Sequence, residues 1–302
     1  MIALARNNYD AFTDEYYTQY NSTISSGETR IPICFCIDVS SSMRFITNRP
    51  EDYTYNSNSG FTEDGIDNVR EISMLPGKIA HERIDEVKRV LKRMLARMRM
   101  SSVLKNSAVI SIVTFSRFAD CIIEFSELDN ISDRIIDTIK TDADQTNASE
   151  GIRMTLNRLD SLGKIIRNAG NESYKPVFIF MSDGQPTDGE AARDAGYEVR
   201  QRSEHGKLNV IPIAIGTDYQ NETWLKQLTR ESYVYHMEHE DEFDRVFNMI
   251  TSRIYKTTAV ISVDEGLETN FDEDSEGVAS SRYGATTSQD DIDEFMKQLG
   301  DI

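Results

Sequence analysis

The stretch "DVSSSM", Asp38 to Met43, places an acid and three consecutive serines directly behind the apolar run "IPICFC". Alternate residues in a turn point to one side, so Asp38, Ser40 and Ser42 present their oxygens together. Two further oxygens occur at comparable places: Thr146 in "TDADQTNASEG", ahead of a helical pattern, and Asp183 at the end of "PVFIFMSDG", followed by Gly184 where the chain turns away. Two carboxylates and three hydroxyls converging on one point make a hard, all-oxygen site, which suits Mg2+, Mn2+ or Ca2+ with waters completing the shell. Taken singly, each position has a plainer reading, because Ser, Thr and Asp are common helix N-caps and Asp-Gly is a common turn. Capping does not account for all five at three separate strand ends.

The elements that position these groups follow from apolar periodicity. Strand-like runs are "IPICFCID", "AVISIVTFS", "ADCIIEF", "PVFIFMS", "LNVIPIAIG" and "SYVYHM". Most are nearly continuous apolar stretches, as expected of strands covered on both faces. "AVISIVTF", "SRF" and "ADCIIEF" read as a hairpin, which makes Ala119–Phe125 antiparallel and places it at an edge. Between the strands, "KIAHERIDEVKRVLKRMLARM" sets Ile79, Ile84, Val87, Leu91, Met94, Leu95 and Met98 on one helical face, a core stripe rather than a binding groove. "SEGIRMTLNRLDSLGKII" and "DEFDRVFNMITSRIY" give two more helices; "GEAARDAGYEVRQRSEH" is weaker, interrupted by Gly196, and "ETWLKQLT" is short. The alternation predicts an α/β fold: a doubly wound, six-stranded, mostly parallel sheet with one antiparallel edge strand and helices on both faces. Ligands of such sheets bind at the carboxyl ends of the strands, where the five oxygens lie.

In this order, Asp38-x-Ser40-x-Ser42, Thr146 and Asp183-Gly184 resemble the complete metal-ion-dependent adhesion site of von Willebrand factor A (VWA) domains, which have a Rossmann-like fold. The resemblance covers roughly residues 30–256. Within that superfamily, "IPICFCIDVSSSM", "ISIVTFS", "TNASEGI" and "PVFIFMSDGQPTDG" look most like the bacterial, intracellular tellurium-resistance TerY-type proteins. The resemblance implies that Ser40, Ser42 and, in one state, Thr146 touch the metal directly, while Asp38 and Asp183 act through waters. Neutral ligands leave the cation short of negative charge, and in the family a partner's Glu or Asp supplies it. The expected function is therefore a non-catalytic, metal-dependent protein-binding module, a scaffold or regulator tied to stress or defence. The resemblance also implies partners among protein kinases and phosphatases, or an AAA-type ATPase for which the chain is an adaptor.

A metal-dependent phosphohydrolase is the competing reading, and it needs a base or nucleophile beside the metal. His81, His205, His236 and His239 all fall away from the three strand ends. His236 and His239 lack a third partner at zinc-ligand spacing. Asp188, in "DGQPTDG", reads as a turn residue in preference to an acid supporting the metal. Composition narrows the rest. The net charge of −18 argues against nucleic acid and against anionic membrane surfaces. Cys34, Cys36 and Cys121, an odd number in apolar runs, read as reduced core thiols, and the first residues lack a signal-peptide core; both point to the cytoplasm. Zinc through Cys34 and Cys36 is disfavoured by their spacing and the lack of a second pair.

Three segments depart from the alternation. Residues 1–29 are a polar, Tyr-rich arm ahead of the VWA-like region of residues 30–256. Residues 44–75 form an insertion, polar and Gly/Asn-rich, too long for an ordinary connection, with both ends beside the metal; it is expected to shape the partner-binding surface. Residues 257–302 are an acidic linker and tail, with twelve acidic and two basic residues from Asp264 onward. In its last stretch Ser288 and Asp291 start a capping box, and Ile292, Phe295, Met296 and Leu299 share one helical stripe. These five positions, Asp291 included with the stripe, are expected to dock on a partner; the plainer alternative is a disordered tail. Thr286, Thr287 and Ser288 are candidate phosphoacceptors. An acid between Asp264 and Glu276 could also cap the metal from within.

Overall fold

The computed structural model describes residues 29–47, 50–55, 72–142, 144–171, 173–216, 223–229 and 234–237. The six long runs become strands of one sheet. These are β1 (Ile31–Asp38), β4 (Ala108–Phe115), β5 (Ala119–Glu127), β6 (Val177–Ser182), β7 (Asn209–Ile215) and β8 (Tyr235–Met237). Their order is β5-β4-β1-β6-β7-β8, with β5 antiparallel to β4 and the other pairings parallel. The expected fold class is therefore observed. The chain builds outward from β1 through β4 to β5, then returns across the sheet to β6. The switch point thus lies between β1 and β6, and the crevice outside their carboxyl ends is where such sheets bind ligands.

Every residue of β1, β4 and β6 is buried. On one face Cys34, Cys36, Val113, Phe115, Phe178 and Phe180 join Ile152, Leu156 and Leu159 of α4 (Ala148–Asn168) and Ala192, Ala195 and Val199 of α5 (Glu190–Glu204) in one core. The Phe115 and Phe180 rings stack at 5.2 Å, and Trp224 lies 5.4 Å from Phe180. Burying each such ring contributes about 1.5–3 kcal/mol. The opposite parity, Ile33, Phe35 and Ile37, is equally buried. Helix α1 (Arg83–Met100) buries Ile84, Val87, Leu91, Met94, Leu95 and Met98, the predicted stripe.

Helix α1 begins later than the periodicity suggests, and Ile79, expected on the buried stripe, is exposed outside it. The cause is a competing extended pairing. Ile46 bridges Glu82, and Thr47 donates to the His81 carbonyl from its backbone N–H (2.8 Å) and its hydroxyl (3.0 Å). Residues just ahead of the helix are thus held as a ribbon. The same ribbon carries the insertion. β2 (Tyr53–Tyr55) pairs antiparallel with β3 (Ile72–Met74), the Leu75 N–H donates to the Asp52 carbonyl, and Lys78 pairs with Asp52. The described part of the insertion is therefore an ordered antiparallel arm.

Two short helices were not legible in the sequence: α2 (Ser102–Ser107), capped by the Ser101 hydroxyl accepting from Leu104 N–H, and α3 (Asp133–Asp137). Helix α5 runs unbroken through Gly196, whose position is set by packing: a Cβ there would lie 3.2 Å from Leu228 Cδ2. The arm of residues 1–28, the helix expected at 241–255 and the acidic tail lie outside the described residues.

Candidate metal centre

Asp38 ends β1 and Asp183 follows β6, so two carboxylates emerge from neighbouring strands at the switch point. Both are buried, Asp38 completely. The Ser40 N–H donates to Asp38 Oδ1 at 2.9 Å, a local bond that bends the chain into the serine turn. On the other side, the Ser182 hydroxyl donates to Asp38 Oδ2 at 2.7 Å. The Ser42 hydroxyl donates to Asp183 Oδ1 at 2.7 Å and lies 3.1 Å from the Ser40 hydroxyl. Ser40, Ser42 and Asp183 thus form a continuous line of oxygens.

The plainer reading of the serines is a helix cap. Ser40 does occupy the N-cap position of a short 3-10 turn, Ser41–Arg44, but its side chain makes no capping bond. Its hydroxyl instead faces that of Ser42.

Burial, and secondarily the negative charge of Asp183, push the Asp38 carboxyl up to about 7, against the opposing pull of its bonds to Ser40 and Ser182. Two acids held close with little water are a site that a divalent cation relieves. Among the described residues no group of three or more His, Cys, Asp or Glu is placed to hold a metal. A cation here must therefore draw on hydroxyls, and the residues present fit a hard ion better than zinc on nitrogen or sulfur.

Thr146 lies buried at the same edge and is tied to the Asp183 loop: its N–H donates to Thr187 Oγ1 at 3.0 Å, and Thr187 N–H returns to its carbonyl at 2.9 Å. The preceding loop is pinned just beyond β1, where Asp142 N–H donates to the Val39 carbonyl at 2.8 Å. Asp188 is neither part of the oxygen line nor a simple turn residue. It accepts from Ser149 N–H at 2.9 Å and so caps α4 from another loop, while Asn147 at the N-cap position makes no capping bond and instead donates from its side-chain amide to the Arg117 carbonyl at 2.9 Å. Gly184 has no positive φ and open space around it. Its N–H donates to the Ser182 hydroxyl at 3.4 Å, while that hydroxyl gives its own proton to Asp38. Asp291, Ile292, Phe295, Met296 and Leu299 lie outside the described residues.

Two residues of the site were missed by sequence reasoning. Ser182 is a small hydroxyl closing an apolar run, immediately before Asp-Gly, and that context is the signal that could have found it. Arg83 donates to Asp183 Oδ2 at 2.7 Å, with the Asp183 side chain fully buried. Arg83 is the first residue of α1, a poor place for a cation beside the helix dipole, so its position called for an explanation that Asp183 provides.

Comparison with known proteins agrees with this architecture. The sequence model of the von Willebrand factor type A domain family matches residues 76–249. The match begins beyond β1 and the insertion, so Asp38, Ser40 and Ser42 are joined to it by the fold. No curated protein sequence matches the chain. Among solved structures, the PilB minor pilin from Streptococcus sanguinis is 15% identical with a TM-score of 0.51, over 80% of this chain and 65% of the pilin. The pilus adhesin SpaC from Lactobacillus rhamnosus GG is 14% identical with a TM-score of 0.51, over 78% of this chain and 32% of the adhesin. Proximal thread matrix protein 1 from the mussel byssus, in a structure with a zinc-occupied MIDAS motif, is 16% identical with a TM-score of 0.47, over 77% of this chain and 46% of that one. The chain spans less than two thirds of the length of each of these proteins. At these identities the likeness to the pilin and the adhesin speaks to the fold alone.

Proposed function

Because the chain belongs to the von Willebrand factor type A domain family, we propose that it is a non-catalytic, metal-dependent protein-binding module. The observation that carries this reading is the line of oxygens Ser40, Ser42 and Asp183, backed by the buried Asp38 at the switch point. In this reading Ser40, Ser42 and Thr146 hold a divalent cation, with Mg2+ the first choice and Mn2+ or Ca2+ acceptable, while Asp38 and Asp183 hold its waters. The bound cation supplies an electrophilic point that an Asp or Glu of a partner protein completes. The chain's own residues orient that point: Ser182 and the Ser40 N–H fix Asp38, and Ser42 fixes one oxygen of Asp183.

A hydrolase would need a base beside these oxygens, and the charged side chain in contact with Asp183 is instead the guanidinium of Arg83. His81 faces Glu86, 3.4 Å away, and His205 bonds the Gln201 carbonyl, so both serve local structure. The reading places the chain in the cytoplasm, in the manner of TerY-type proteins. Its partner would be a kinase, a phosphatase or an AAA-type ATPase, with Asp291, Ile292, Phe295, Met296 and Leu299 of the tail as a second contact. No described helix is long and apolar enough to cross a membrane.

Capture of partners on the immobilised full chain, in Mg2+ and in EDTA, tests the reading. The expected result is a set of proteins retained only in Mg2+ and lost with Ser42→Ala. Retention indifferent to both EDTA and Ser42→Ala would show that recognition does not pass through a metal.

A further inference from the structure

The contact between Arg83 and Asp183 is a built one. Phe45 lies over the guanidinium, 5.2 Å from ring centroid to Cζ. On another side, Gly216 closes β7 with φ +85°, and a Cβ there would fall 2.3 Å from Nη2 and 2.5 Å from Cζ. The bare backbone at 216 is therefore what admits the guanidinium. The Arg83 N–H donates to the Phe45 carbonyl at 2.9 Å, so the base of the inserted arm and the first turn of α1 are closed on the same residue. With its side chain only 14% exposed, the arginine cannot be read as a loose surface cation.

Its charge alters what the site can hold. Asp38 and Asp183 together offer at most two negative charges, and Arg83 permanently offsets one of them at the Asp183 oxygen that faces away from Ser42. An incoming divalent cation meets a like charge across a single buried carboxylate. At an effective dielectric of about 20, and after screening by salt, a unit charge within ~10 Å of a divalent ion opposes its binding by about tenfold. Once the cation is bound, the same positive charge strengthens the pull on an external anion. We propose that Arg83 is a resident counter-ion of Asp183, which weakens metal binding by the chain alone and makes the metal and an anionic partner bind cooperatively. This rests on the metal-dependent reading above and adds to it a rule: the site loads fully only when a carboxylate arrives with the cation.

The test is calorimetric titration of the full chain with Mn2+ alone, in chloride and in sodium acetate at equal ionic strength, acetate being the carboxylate probe. Arg83→Met is expected to bind Mn2+ about tenfold more tightly than wild type in chloride. Arg83→Lys keeps the charge and is expected to stay within about threefold of wild type. Acetate should raise the affinity of the wild type by a larger factor than that of Arg83→Met. Should Arg83→Met lose its native circular dichroism, Phe45→Ala replaces it, opening the ion pair to solvent, with a smaller tightening of about two- to threefold. Equal or weaker Mn2+ binding by a folded variant, or equal acetate effects, overturns the resident-cation role while leaving the metal site standing. Absence of binding to wild type and variants alike overturns the metal reading and this inference with it.

Discussion

Asp38 and Asp183 are each held by a serine from the other's strand end: Ser182, the neighbour of Asp183, donates to Asp38, and Ser42, from the turn after Asp38, donates to Asp183, both at 2.7 Å. The two carboxylates are therefore cross-strapped rather than merely adjacent. Neither can reorient without breaking a bond anchored on the opposite strand, so the site is organised by the same contacts that close β1 on β6.

Replacing Asp38 tests the charge contribution separately from the fold. Asp38→Ala should weaken Mg2+ binding by roughly tenfold or more, because one of two site acids is lost. The sheet should survive, since the residue stands at its edge and its buried charge is not a source of stability. Calorimetry beside far-ultraviolet circular dichroism checks both; equal Mg2+ affinities would remove Asp38 from the site.

The inserted arm should be separable from the core. Replacing residues 56–71 with a short Gly/Ser turn leaves β2 and β3 joined. The melting temperature is expected to change by less than about 3 °C, corresponding to no more than ~1 kcal/mol. Partner capture should change at the same time. A large fall in melting temperature would make the replaced residues part of the core.

Gly151 reports on how closely α4 approaches the sheet. A Cβ there would lie 2.8 Å from both Cys36 Sγ and Phe115 Cδ1, which are core atoms with no room to retreat. Gly151→Ala should cost about 1–3 kcal/mol despite alanine's better helix propensity. Denaturant unfolding measures it, and a variant as stable as wild type would show that α4 sits further from β1 than described.

The thiols give a pH signature. Burial pushes Cys34 and Cys121 up to about 12, and Cys36 upward as well. A thiol raised in the folded state stabilises fully below its unfolded value of about 8.5, and that contribution is lost as pH rises toward the folded value. At pH 8 a disulfide reagent should label the folded chain slowly and the denatured chain rapidly at all three positions. Rapid native labelling of Cys34 or Cys36 would contradict their placement.

Much of this was legible in the sequence, for identifiable reasons. Runs such as "IPICFC" and "VFIFM" have no polar alternation, which only strands covered on both faces tolerate. The placement of Asp38, Ser40, Ser42 and Asp183 beside one another was readable because strand ends are fixed by those runs. What escaped depends on contacts distant in the chain. The start of α1 was set by pairing of residues 81–82 with 46–47, not by periodicity. The short helices α2 and α3 are less than two turns long, too brief for an apolar repeat to show. Arg83 acquires meaning only when α1 brings it to an acid 100 positions later.

That separation has a temporal consequence. Ser42 and Asp183 are 141 positions apart, and Asp38 and Ser182 are 144 apart, while β1 must wait for both β4 and β6 to become the sheet's centre. During synthesis the first half of the site emerges long before the second, and contacts of such long range form slowly. Until β6 docks, the serine turn has no opposite carboxylate, and a nascent or truncated chain ending before Val177 offers a cation only one acid. In the proposed reading, occupancy of the site would therefore mark a chain in which β6 has docked on β1, since only then do both carboxylates stand together.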